Sequence, residues 1–214
     1  MYSMLPSYSQ ALITYLFTSV LFGAGVLGLC NKKFYYANVF HPHVVYQGRR
    51  LWTLFSSCLI HVGWGHLLAN TAFFLIFLSE VEYMLVDDFG KAFGRILTSA
   101  LLVSIVVICN LVDLLRFRNR LEIMTAGLSA FNCAMIIFYY VYFPLDGAEV
   151  QAHLLPITTA YEFAGTALLA MGIAWLLKLG QNPAAHLFGG IAGLGAAVII
   201  RPQLVAELIQ HFRP

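Results

Sequence analysis

The chain has 214 residues, of which 60% are hydrophobic and only 10% charged, with a formal net charge of +2 and a mean hydropathy of +0.80. Soluble domains carry about 25% charged residues, so this chain has too little charge to cover itself against water and reads as an integral membrane protein. The small net charge argues against a nucleic-acid partner, and the length suits one bundle better than two domains.

A membrane-crossing helix needs about 20 predominantly apolar residues. Six runs meet that need, at roughly 11–30, 63–86, 93–111, 124–143, 157–177 and 183–200. They predict an all-α membrane protein, a six-helix bundle forming a single domain over residues 1–214. The first run has no Lys or Arg before Lys32 and no clear small-residue cleavage site after it. It is therefore read as a retained helix rather than a signal peptide. Residues 31–60 then mix aromatics (Phe34, Tyr35, Tyr36, Trp52, Phe55) with Lys32, Lys33, Arg49 and Arg50. Such a mixture suits the bilayer interface and predicts a partly helical loop, partly embedded in one leaflet, between helices one and two. Glu80 and Glu82 make the far end of the second run polar. The remaining connections, 87–92, 112–123, 144–156 and 178–182, are short. Cys30, Cys58, Cys109 and Cys133 lack C-x-x-C spacing and read as packing residues, and no metal or cofactor is expected.

Counting Lys and Arg by side places Lys32, Lys33, Arg49, Arg50, Arg116, Arg118, Arg120 and Lys178 opposite the termini. The positive-inside rule taken literally then puts both termini outside.

Successive spans alternate direction, so helices two, four and six enter the bilayer from the same face. His66 and Asn70 lie early in helix two, Ser129 early in helix four and His186 early in helix six. At 1.5 Å per residue each sits only ~5–10 Å below that face, so the four polar groups share one depth. A serine hydroxyl becomes a nucleophile when a neighbouring base takes its proton, and neutral imidazole is the usual base near pH 7. The oxyanion formed on an attacked amide needs donors already aimed at it. His66 and Asn70, four apart, share a helix face, and a backbone N–H near a helix start lacks an internal partner. Each residue also has a plain role. Ser129 alone would be a packing serine, His66 and Asn70 could tie helix two to the loop, and Gly189 and Gly193 form a G-x-x-x-G of the kind that packs helices closely. A polar pathway of a transporter is disfavoured, because the deep parts of helices four and six are nearly all apolar.

Four stretches resemble the rhomboid family of intramembrane serine proteases. They are Arg50–Phe55, the run from His61 through Trp64 and His66 to Asn70, Gly127-Leu128-Ser129, and Ala185-His186 leading to Gly189 and Gly193. The resemblance implies Ser129 as nucleophile and His186 as base, with no acidic third member. It implies His66, Asn70 and the Ser129 amide as the oxyanion site, and Gly127, Gly189 and Gly193 as packing glycines. It further implies transmembrane protein substrates cut in or near the lipid bilayer, a lateral entrance beside helix five, and both termini in the cytoplasm. The compact six-helix form suits a bacterial inner membrane. A relative that binds membrane segments without cutting them is the alternative, although such relatives typically lack the serine or the histidine. Three positions depart from the family pattern. Ala130 replaces a glycine, Cys133 replaces an aromatic, and Val86 stands where an acidic residue commonly precedes the glycine closing helix two.

Overall fold

A computed structural model of the chain describes residues 5–142 and 159–213. The 144–156 connection, the end of the fourth predicted helix and the start of the fifth lie outside the described residues.

The described chain is helical, with one isolated pair of extended residues. Helix α1 spans Leu12–Cys30, and its N-cap residue, Ala11, offers no side-chain acceptor. The acceptor comes from elsewhere: Glu82 takes the N–H of Ile13 at 2.9 Å and both the N–H and hydroxyl of Thr14 at 2.8 Å. A carboxylate at the positive end of a helix satisfies orphan donors and the helix dipole together. Glu82 is fully buried there. The polar end of the second run is thus a tie between helices, and it supplies a buried acid in the part of the chain where Val86 departs from the family pattern.

The loop that follows contains α2 (Lys32–Asn38), α3 (Pro42–Tyr46), α4 (Thr53–Ser56) and a 3-10 turn at Ser57–Leu59. Asn31 caps α2 through its side chain, and Pro42 starts α3 at a position where its missing N–H costs nothing. The Arg50 guanidinium donates to the carbonyls of Tyr36 and Val39, which closes the loop on itself.

Helix α5 runs over Trp64–Phe117, 54 residues, with a break at Gly90, where φ is +78°. At 1.5 Å per residue a straight helix of that length would reach ~80 Å, far beyond a hydrocarbon core of ~30 Å. The break turns the chain back. Gly94 packs directly on the Leu85–Val86 backbone, and a Cβ there would come within 2.5 Å of the Leu85 carbonyl. The two arms match the second and third predicted spans, and the second arm continues six residues past the predicted end at Leu111.

The fourth helix differs from its prediction. Residues 124–128 are not helical, and α6 is Ser129–Tyr142. Thr125 instead exchanges two backbone hydrogen bonds with Phe40, at 3.0 and 2.9 Å, and the Gly127 N–H donates to the Ser57 carbonyl at 3.0 Å. The loop between α1 and α5 captures the backbone that would otherwise have formed the first turn. Helix α6 is buried on nearly all sides, with Phe131, Ala134, Met135, Ile137 and Phe138 each at 1% exposure or less. A helix apolar all round belongs in the middle of its bundle.

Helix α7 (Ala160–Leu176) begins with a capping box between Thr159 and Glu162. Helix α8 spans Pro183–Ile200 and lies against α6 through glycines. A Cβ at Gly189 would strike the Ala130 carbonyl, and one at Gly193 the Ala134 carbonyl. A short α9, Leu204–His211, was not foreseen from sequence. It is tied back through Arg201, which donates to both the Tyr142 carbonyl and Glu207, and through Tyr161, which donates to Glu207 at 2.9 Å. Large apolar side chains such as Leu169, Leu176 and Ile199 face outward at 64–80% exposure, which in a membrane means facing lipid. Helices α1, α5 and α8 are each long and apolar enough to cross, and α6 and α7 are shorter apolar helices. This is an integral membrane helical bundle.

Candidate active site

The captured segment 124–128 determines where the serine sits. Because the chain is extended up to Leu128, Ser129 is the first residue of α6. Its N–H has no carbonyl four residues earlier within the helix to bond. Its hydroxyl oxygen lies 2.9 Å from His186 Nε2, across 57 residues of chain. His186 is the fourth residue of α8, and the backbone-to-backbone contact at Gly189 and Ala130 lets the two helices approach closely enough for that bond. The contact at position 130 is made by the backbone carbonyl.

Ser129, His186 and His66 line one cavity of about 690 Å³, together with Gly127, Asn110, Asp113, Arg116 and Asn182. His66 stands in the first turn of α5, with its ring against Gly127. A Cβ at 127 would lie 2.6 Å from His66 Cε1 and 3.0 Å from Nε2, and φ at Gly127 is +111°, a conformation that a side chain makes costly. Gly127, expected among the helix-packing glycines, therefore lies outside any helix and makes room for a histidine ring. Its extended neighbours leave no helix at 127 to pack.

Asn70 is not part of the cavity wall. It is 4% exposed, and its Nδ2 donates to the His66 carbonyl one turn earlier at 2.9 Å. Behind it stands Asn132, which sequence reasoning did not single out. Asn132 Nδ2 donates to Asn70 Oδ1 at 2.9 Å and to the Asn70 backbone carbonyl at 3.1 Å. The available signal was its spacing, three residues after Ser129 on the same face of α6.

His61, which opens the stretch leading to His66 and Asn70, is fully buried, with its ring edge-on to His66 at a centroid distance of 5.0 Å. Neither of its ring nitrogens has a partner within normal hydrogen-bond geometry. Burial pushes its imidazole from 6.5 down to about 4, with repulsion from His66 adding to this and a weak opposing pull from the Leu59 backbone. His61 is neutral at pH 7.

Asp113, which also lines the cavity and is 3% exposed, accepts from Asn182 Nδ2 at 2.6 Å and from Arg116 at 3.3 Å. Arg116 also donates to Asn182 Oδ1 at 3.0 Å. Cys133 is a half-buried free thiol. Among the described residues no group of His, Cys, Asp or Glu is placed to hold a metal ion.

Residues 48–203, well over half of the chain and including every residue of this cavity, match the family model described as Rhomboid domain. No curated protein matches the chain.

Proposed function

The chain belongs to the rhomboid family, and from that premise we propose that it is an active intramembrane serine endopeptidase, with Ser129 as nucleophile and His186 as general base. The family contains both proteases and non-cleaving members, and it acts on membrane proteins within the bilayer. The observation that carries the active reading is the 2.9 Å approach of Ser129 Oγ to His186 Nε2 in the wall of a cavity of substrate-binding size.

In this reading His186 Nε2 takes the hydroxyl proton as Ser129 Oγ bonds to the carbonyl carbon of a substrate peptide. The carbonyl electron pair moves onto oxygen, where the Ser129 N–H and the side chains of His66 and Asn70 donate to it. When the tetrahedral adduct collapses, the C–N bond breaks and His186 returns the proton to the leaving amine. Water then attacks the acyl ester by the same route and restores the serine. The substrates are transmembrane segments of other proteins, and the setting we propose is a bacterial inner membrane with both termini cytoplasmic.

The test is a fluorophosphonate probe together with a panel of model transmembrane substrates. Wild-type protein labels and cuts, and Ser129→Ala and His186→Ala do neither. Labelling that persists in Ser129→Ala overturns the nucleophile assignment. Substrate binding by a wild-type protein that neither cuts nor labels favours the non-cleaving reading.

A further inference from the structure

The hydrogen bonds around Asn70 carry an inference that rests on the protease reading and deepens it. A carboxamide has a donor end and an acceptor end, and which end faces a reaction determines whether it can stabilise an oxyanion at all. Asn70 is held at both ends. Its Nδ2 gives one hydrogen to the His66 carbonyl, one turn earlier on α5. Its Oδ1 accepts from Asn132 Nδ2 on α6. The same Asn132 nitrogen also donates to the Asn70 backbone carbonyl, so one amide group grips both the side chain and the main chain of Asn70. The second hydrogen on Asn70 Nδ2 makes no hydrogen bond among the described residues, and on the protease reading it is the one available to the oxyanion.

We infer that Asn132 is a positioning residue, which orients the Asn70 carboxamide as an oxyanion donor. It is buried at 5% exposure and lies on the same helix as the nucleophile, one turn deeper. Attack geometry and oxyanion geometry are therefore referenced to one rigid element. Without the Asn132 donor, Asn70 Oδ1 loses its partner, and the carboxamide is held only through Nδ2 at the His66 carbonyl, so its orientation is no longer fixed at both ends. Catalysis falls while substrate binding, which uses the cavity wall, does not.

The experiment measures cleavage of a model transmembrane substrate, and in parallel the rate of fluorophosphonate labelling, for Asn132→Leu, Asn70→Ala and the double variant. Asn132→Leu should lower kcat by about ten- to a hundredfold, with KM within twofold of wild type and labelling slowed in step. In the Asn70→Ala background Asn132→Leu should add nothing, since both changes remove one donor. Should the leucine variant fail to fold, Asn132→Ala, which removes the amide donor without adding bulk or charge, carries the same test. A wild-type kcat, or effects that multiply in the double variant, overturns the inference. Absence of both cleavage and labelling in the wild type overturns the protease reading first, and the role of Asn132 falls with it.

Discussion

His61 illustrates how a single buried side chain sets conditions for the molecule. Folded, it holds its neutral form down to about pH 4, whereas unfolded it takes a proton near its ordinary 6.5. Between those values the unfolded state binds more protons, so stability rises with pH across that window. The sign is therefore fixed. The titration of His61 has no effect on stability above about pH 7, and it destabilises progressively as pH falls through 6.5 towards 4, by about 3 kcal/mol in all. A His61→Phe substitution keeps an aromatic edge against His66 and removes the titration. Its thermal midpoint should lose less on going from pH 7 to pH 4.5 than the wild type loses. Parallel pH profiles for the two proteins would show that another group governs acid sensitivity.

At the scale of elements, Glu82 is the clearest case of a contact between helices taking the place of a local signal. Helix α1 has no capping side chain of its own, and two of its orphan N–H groups, those of Ile13 and Thr14, are satisfied by a carboxylate 69 and 68 residues later. Removing it leaves buried donors unpaired at a cost of about 3 kcal/mol. Glu82→Ala should lower the midpoint of detergent unfolding, and Glu82→Gln, which keeps one acceptor, should lower it less. Equal midpoints for wild type and Glu82→Ala would remove the tie from the energetics. The same contrast between local and distant causes explains what the sequence reveals. Long apolar runs are local signals, so the spans containing Leu12–Cys30 and Pro183–Ile200 are legible. The shared depth of His66, Ser129 and His186 follows from alternation alone. The start of α6 is not legible, because Met124–Leu128 looks as apolar as a helix turn, and only pairing with Phe40 and Ser57 makes it extended. Asn132 has only its spacing from Ser129 as a local signal, since its partner is 62 residues away.

For the molecule as a whole, the arrangement that matters is how α8 is held against the rest, because α8 carries His186. Along its length the contact is close, with Gly189 and Gly193 against the backbone of α6. At its start the contact is polar. Asn182, in a left-handed conformation with φ +47°, immediately precedes α8 and is pinned to the end of α5 by Asp113 and Arg116. The two contacts define the register of His186 from different sides, and an error of about 1 Å between reacting groups costs up to about a hundredfold in rate. Asn182→Gly separates their contributions, because glycine accepts the left-handed backbone and removes only the side-chain bonds. Helix packing through Gly189 and Gly193 is untouched, so the protein should fold and Ser129 should still label. Turnover should fall by about tenfold, and Asp113→Asn, which weakens the same brace from the other side, should add little in the Asn182→Gly background. Wild-type turnover in Asn182→Gly would mean that the glycine contacts with α6 hold His186 unaided.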